Sequence, residues 1–233
     1  MKRIYFLGIL FTVLVLNSKA QIEKEVFNGD FTGVRCKGTA TYKLVPADTN
    51  KVIVFTDDEE VFDFIDIGVK GHMLVIDLTD KNVNVSKLFE KVVVKVFFKE
   101  LDHVVMEGAG KLESVGPIIS PQIVADLRGT GKLEIEVECD VLEAAMRGTS
   151  VFTATGKADN VIVRVEGVGG FFGKHLEAGV VDVKVDGVGN ATVNASNELK
   201  APVNGVGSIK YLGSPEEKDF DINGVGSIKA YEE

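Results

Sequence analysis

Apolar and polar residues alternate with a period of two through the second half of this chain. Leu133, Ile135 and Val137 are separated by Glu134 and Glu136, Val161, Val163 and Val165 by Ile162 and Arg164, and Val181, Val183 and Val185 by Asp182 and Lys184. Successive side chains of a strand point to opposite faces, so each row predicts a strand with one face in a core and the other in solvent. Similar patterns predict strands at residues 34–38, 41–45, 52–56, 64–69, 73–78 and 92–98, with Lys70-Gly71 as a hairpin turn. Runs that favour a helix are absent, and the expected class is all-β.

Superimposed on the alternation is a phrase that recurs seven times: EGAGKL, RGTGKL, RGTSVF, EGVGGF, DGVGNA, NGVGSI and NGVGSI. Its first glycines are Gly108, Gly129, Gly148, Gly167, Gly187, Gly205 and Gly224, giving steps of 21, 19, 19, 20, 18 and 19 residues. A unit of this length is too short for a strand, a crossover helix and a return strand, which need about 30 residues. It suffices for two or three short strands joined by tight corners, which is one coil of a parallel β-helix. Strands about 4.8 Å apart would make seven coils a rod of about 30 Å. The glycines then read as structural turn residues, since stacked corners leave little room for a Cβ. The residue before each forms a column: Glu107, Arg128, Arg147, Glu166, Asp186, Asn204 and Asn223. In-register stacking sets Glu107 beside Arg128, Arg147 beside Glu166, and the two asparagines side by side, a column of favourable cross-strand pairs. Residues 101–233 are thus expected to be β-helix repeats. Residues 21–100, which lack the phrase, read as a β-rich N-terminal cap with the first irregular coils, one continuous domain with the rest.

Residues 1–20 stand apart. Lys2 and Arg3 precede a 13-residue apolar run, and Ser18-Lys19-Ala20 supplies small residues for cleavage before Gln21. This is the form of a secretory signal peptide, shorter than the roughly 20 residues of a membrane span. The expected mature protein is exported, to the periplasm or to the cell surface and beyond, with no transmembrane segment. Loss of Lys2, Arg3 and Lys19 leaves 23 of the 26 basic residues against 35 acidic ones, a net charge of −12. That sign excludes nucleic acid as an expected partner, because neutralising phosphates demands a basic face. Two cysteines, Cys36 and Cys139, form no disulfide framework. An oxidising compartment permits them to pair, although alternation from Leu133 places Cys139 toward the core as a buried thiol.

The signal peptide, the β-rich lead-in, residues 92–105 running into Met106-Glu107-Gly108-Ala109-Gly110, and the later Gly-Val-Gly copies together resemble the secreted head GIN domain family. Its members are described as putative auto-transporter adhesins and are commonly encoded by Bacteroidetes. The resemblance spans roughly residues 28–215 and implies a right-handed parallel β-helix and an exported location. It supplies no catalytic residues to carry over. The chain departs from the family pattern in carrying Glu, Arg, Asp or Asn before the first glycine, where serine is frequent, and Ser150 in place of a second glycine.

Candidate chemistry is sparse. Asp182 with Asp186, Asp219 with Asp221, and Asp126 near Arg128 are pairs that could serve glycoside hydrolysis, but solvated strand faces account for them better, since a chain with 35 acids is bound to contain such pairs. His72, His103 and His175 lack metal-ligand spacing, and Asp57-Asp58-Glu59-Glu60 lacks the glycine and alternating oxygens of a calcium loop. Gly-x-Gly without a following helix is no dinucleotide fingerprint. No metal or cofactor is expected. Phe171-Phe172 breaks the alternation, so one ring should face outward as a candidate binding residue. The expected function is a non-enzymatic exported binding module for a glycan or protein at the cell envelope, adhesion being the family-level reading. A β-helix carbohydrate-active enzyme (polysaccharide lyase or hydrolase) and a purely structural envelope protein are the alternatives.

Overall fold

The computed structural model describes residues 21–79 and 92–232, so the signal-peptide reading of residues 1–20 lies outside it. The protein is all-β. Its strands are β1 (Ile22–Asn28), β2 (Gly33–Gly38), β3 (Thr41–Pro46), β4 (Lys51–Thr56), β5 (Asp66–Lys70), β6 (Met73–Leu78), β7 (Val93–Phe98), β8 (His103–Ile119), β9 (Gln122–Phe172), β10 (Leu176–Val185), β11 (Val188–Leu212) and β12 (Glu217–Ala230). Among the described residues one helical turn, α1 (Val61–Phe64), interrupts them. It occupies the start of the strand expected at 64–69, which begins instead at Asp66. The strand β1 is unforeseen, because its Glu23, Lys24 and Glu25 break any apolar row.

The strands form one large mixed sheet with the path β1-β4-β7-β3-β8-β9-β10-β11-β12, from which β2, β5 and β6 branch. Pairing is antiparallel for β1 with β4, β4 with β7, and β5 with β6, and parallel elsewhere. The hairpin at Lys70-Gly71 is present, with Lys70 opposite Met73 and Gly71 at φ +66°. From β8 onward like pairs with like. Gly108 lies opposite Gly129, Lys111 opposite Lys132 and Leu112 opposite Leu133; Asn204-Gly205-Val206-Gly207 lies opposite Asn223-Gly224-Val225-Gly226.

At 51 residues, β9 would run about 170 Å if straight. It bends instead, pairing in turn with β8, β10 and β11, and stacking on itself so that Gly148 sits over Gly129 and Gly167 over Gly148. The glycines make this close approach possible. At Gly129 a Cβ would lie 2.4 Å from the Gly108 carbonyl oxygen, and φ is +118°, a conformation L side chains rarely adopt.

The inward rows are those of the alternation: Leu133, Ile135 and Val137, Val161, Val163 and Val165, and Val181, Val183 and Val185 are all buried and belong to one continuous apolar cluster. Cys36 joins it, whereas Cys139 is only half-buried; neither is in a disulfide. Burial drives the Cys36 thiol far above its ordinary range. Burial, with the nearby Asp140 and Asp159 carboxylates, pushes Cys139 up to about 11.

Residues 21–100 were expected to lack the phrase, but the structure holds a further copy in them. Lys37 pairs with Glu107 and Thr41 with Lys111, so Lys37-Gly38-Thr39-Ala40-Thr41-Tyr42 underlies Glu107-Gly108-Ala109-Gly110-Lys111-Leu112. Gly38 has φ +91° and the Gly108 Cβ position lies 2.7 Å from its carbonyl oxygen. Tyr42 takes the inward place of Leu112, fully buried, and its hydroxyl donates to the Lys37 carbonyl at 2.9 Å. Beneath this tier lie β6, paired with β2, and β7, paired with β3. The order of tiers therefore departs from the order of the chain: β6 and β7, although later in sequence, lie farther from the repeats than β2 and β3.

Candidate functional site

The outward column before the first glycine is a chain of ion pairs in its first half. Arg35 on β2 approaches Glu107 on β8 at 3.9 Å, and Glu107 meets Arg128 at 3.3 Å. Arg128 Nε donates to Asp126 at 2.8 Å, Arg147 reaches the same carboxylate at 3.2 Å, and Arg147 closes on Glu166 at 3.0 Å. Asp126 is thus the hub between two arginines, and its side chain is mostly covered. Charge-assisted hydrogen bonds of this kind are the strong members of their class. A second ladder runs alongside: Lys43–Glu113 at 2.8 Å, Lys111–Glu113 at 2.5 Å, Lys111–Glu134 at 2.7 Å and Lys132–Glu134 at 2.5 Å. Hydrogen bonds from Lys111 and then Lys43 hold the Glu113 carboxyl below its usual range, and those from Lys111 and Lys132 do the same for Glu134.

Farther along, the column loses its arginines. Asn204 donates to Asp186 at 2.7 Å, and Asn223 donates to Asp221 at 2.7 Å and, at 3.5 Å, to Asn204. The residue between the two glycines changes at the same point. It is Ala109, Thr130 and Thr149 in the first three repeats, then Val168, Val188, Val206 and Val225. These four valines are 52%, 54%, 51% and 73% exposed and stack in register, Val168 opposite Val188 and Val206 opposite Val225. Valines at least half exposed on four successive tiers make a continuous apolar stripe, which a monomer's surface does not require for its own folding. The sequence showed the recurring valines, but only the register shows that they touch and face solvent.

The phrase breaks resolve differently from one another. Ser150 is buried. Phe171 is fully buried with its ring 5.4 Å from Phe152, while Phe172 is 44% exposed, so of the pair only Phe172 faces solvent.

Of the five acids weighed from sequence, Asp126, Asp182, Asp186 and Asp221 are held by neighbours. Asp182 accepts two hydrogen bonds from Arg164, at 3.0 and 2.8 Å. Asp186 is bonded by Lys184 and Asn204, Asp126 by the two arginines, and Asp221 by Asn223. Alternation did not reveal an open groove of about 740 Å³ lined by Glu138, Cys139, Lys157, Asp159 and Glu177 with Asn194. Its residues come from four successive tiers, and nothing local marks them as neighbours. Lys157 and Glu177 approach to 3.6 Å but are 75% and 69% exposed, the setting of a solvated ion pair.

At the opposite end a cavity of about 400 Å³ is lined by Asp30, Thr32, Asn50, His72, Lys99 and Glu100. There β2 lies between β6 and β8 and brings His72 within 5.6 Å of His103, whose Nδ1 is 2.8 Å from Asp102. Asn50 latches this end, donating to the Phe31 carbonyl and accepting from the Lys99 amide. The run Asp57-Asp58-Glu59-Glu60 is a turn leading into α1, with the Glu60 amide donating to Asp58. Among the described residues no cluster of His, Cys, Asp and Glu could hold a metal ion, and no helix is long and apolar enough to cross a membrane.

Stacked like-with-like strands, buried alternate rows and a repeated glycine corner define the chain as an all-β repeat protein of extended, ladder-faced surface. Residues 30–215 match the family described as "Putative auto-transporter adhesin, head GIN domain", and the chain belongs to that family. A similar fold is found in a putative adhesin from Bacteroides fragilis NCTC 9343, with a TM-score of 0.85 and 25% identity over 92% of this chain and 98% of that one. A putative lipid binding protein from Parabacteroides distasonis ATCC 8503 has a TM-score of 0.73 at 20% identity, covering 92% and 98% of the two chains. A putative adhesin from Parabacteroides merdae ATCC 43184 has 0.66 at 18% identity, covering 93% and 98%. No curated protein matches significantly.

Proposed function

We propose that the protein is an exported, non-enzymatic adhesin, a binding module of the cell envelope carried on a right-handed parallel β-helix. The helix reading is supported by parallel pairing of like positions from Gly108–Gly129 to Gly205–Gly224, about one repeat apart. The observation that carries the function is the valine stripe of Val168, Val188, Val206 and Val225, exposed on four tiers of a rigid face. A flat apolar stripe with a polar margin is the anatomy of a protein-binding surface, and a protein partner is favoured over a glycan because the chain has no Trp to stack on a sugar. Phe172 adds an exposed ring. The test is capture of partners from envelope and host-surface fractions by the purified protein, in parallel with a glycan array. The paired substitution Val188→Lys and Val206→Lys should abolish capture while leaving the melting temperature in place. Undiminished capture by that variant sinks the reading, and silence of the unmodified protein in both assays favours a structural role.

The groove bearing Glu138, Asp159 and Glu177 beside Lys157 keeps a second reading in view, a β-helix carbohydrate-active enzyme. It weighs less, because an acid catalyst needs an environment that shifts its proton affinity, and Glu177 is largely solvated. Release of reducing ends or unsaturated products from acidic polysaccharides, lost in Asp159→Asn, would reverse the order of the two.

A further inference from the structure

The edges of the sheet are unequally protected. On β1 the outer edge is short, carries Glu23, Lys24 and Glu25, and is bulged between Glu25 and Phe27. On β5 it is only five residues long. These are the usual devices that stop a sheet from pairing with another chain. On β12 only the charges are present, for the strand is neither short nor bulged. This strand pairs with β11 over fourteen consecutive positions, Glu198↔Glu217 to Tyr211↔Ala230, with no register shift and no proline of its own, and among the described residues no strand pairs with its other side. The apolar core is open there too. Phe220 and Ile222 stand opposite Ala201 and Val203, which are fully buried, yet are themselves 39% and 45% exposed.

The sequence of this edge indicates its occupant. Residues 221–229 read Asp-Ile-Asn-Gly-Val-Gly-Ser-Ile-Lys, a near-palindrome centred on Val225. We propose that β12 pairs antiparallel with β12 of a second copy of this chain about a two-fold axis at Val225. In this register each contact occurs twice: Ile222 faces Ile228, Asn223 faces Ser227, Gly224 faces Gly226, and Asp221 faces Lys229. Phe220 faces Ala230, Lys218 faces Glu232, and Val225, at 73% the most exposed large apolar residue among those described, meets its own mate on the axis. Directly opposed residues of an antiparallel pair share a face, so the uncovered core of one copy closes on that of the other. The glycine-flanked corner itself lies on the axis, and each arm of the bent strand therefore meets the opposite arm of its mate. The charges that would otherwise deter edge pairing become the pins of the register, since a shift by one residue moves every side chain to the wrong face. The contact is isologous and closes after two copies.

The experiment is sedimentation velocity of the purified protein over a concentration series of about three decades, on four forms: unmodified, Val225→Asp, Asp221→Lys and Lys229→Asp. The expected result is a monomer–dimer equilibrium for the unmodified protein, with dissociation constants raised at least about tenfold in each variant. Because Asp221, Val225 and Lys229 are exposed, unchanged circular dichroism is expected throughout. Mixing the Asp221→Lys and Lys229→Asp proteins should restore dimer, because each then presents the charge the other needs at both contacts. Monomer at all concentrations overturns the proposal. So does a dimer indifferent to the three substitutions, which would use another face, mass growth beyond two copies, or failure of the mixed variants to recover.

Discussion

The first three copies of the repeated phrase and the last four occupy the same register of the same sheet, yet they present opposite chemistry. In the first, Glu107, Arg128, Asp126 and Arg147 bind one tier to the next through charge, and small or hydroxylated residues sit between the glycines. In the last, the arginines give way to Glu166, Asp186, Asn204 and Asn223, and a valine stands between each pair of glycines. Backbone demands are shared, because the corner needs glycine in both. What differs is the outward side chain, which is free of the corner's geometry. Invariance in this repeat therefore marks architecture, and drift along it marks where the surface has a task.

The sharpest way to break the comparison is to remove what the halves share. Gly129→Val, in the charged half, puts a branched side chain 2.4 Å from a carbonyl oxygen at positive φ and should cost about 4 kcal/mol or more, seen as loss of folded protein in circular dichroism. The hairpin glycine serves as the control. Gly71→Ala, also at positive φ but with nothing within 4 Å, should cost only about 1 kcal/mol.

Next in size is the contrast between one inward position in two environments. Val203→Ala, in the closed core, should lower stability by about 2 kcal/mol in urea unfolding. Ile222→Ala, opposite it on the open edge, should cost less than about 1 kcal/mol under conditions where the protein is monomeric.

A smaller effect separates the two halves by charge. Asp126→Asn leaves Arg128 and Arg147 without their shared carboxylate and should cost about 1–2 kcal/mol, less at high salt. Asn223→Ala in the half without arginines should fall within about 0.5 kcal/mol and show less salt dependence.

The smallest is the dependence on pH. Glu113 and Glu134 are held below their unfolded values by lysine hydrogen bonds, so their contribution is complete above the unfolded carboxylate value and is lost as pH falls through the folded one. Lys111, raised by Glu113 and Glu134, contributes below its unfolded value and loses that contribution as pH rises through the folded one. The melting temperature should therefore be level through neutrality and fall in acid. Glu113→Gln with Glu134→Gln should flatten the acid limb by about 1 kcal/mol at most, because these ladders are partly solvated.

Sequence reading reached some contacts and missed others for one reason. Glu107 beside Arg128 was legible because both stand at the same place in consecutive copies. Asp126 as a hub was not, since it lies two residues before the phrase and the pattern assigns it no partner across the tier. Lys37-Gly38-Thr39-Ala40 escaped notice because the matching copy begins at Glu107, after an intervening hairpin, helical turn and two strands. His72 and His103 came together only because β2 lies between their strands. Cys139 continued an inward row in sequence but lies at the lip of a groove, half-covered.

The sequence by itself determined the class of the fold, the inward rows and the need for glycine at each corner. Each follows from local stereochemistry: alternation along a strand, and the absence of a Cβ where backbones crowd. Tertiary structure alone decided the order of the N-terminal tiers, the placing of Asp126 between two arginines, the joining of valines into a stripe, and the exposure of β12. Those depend on which distant strands become neighbours and which edge is left without one, and a strand's own residues do not record its partner.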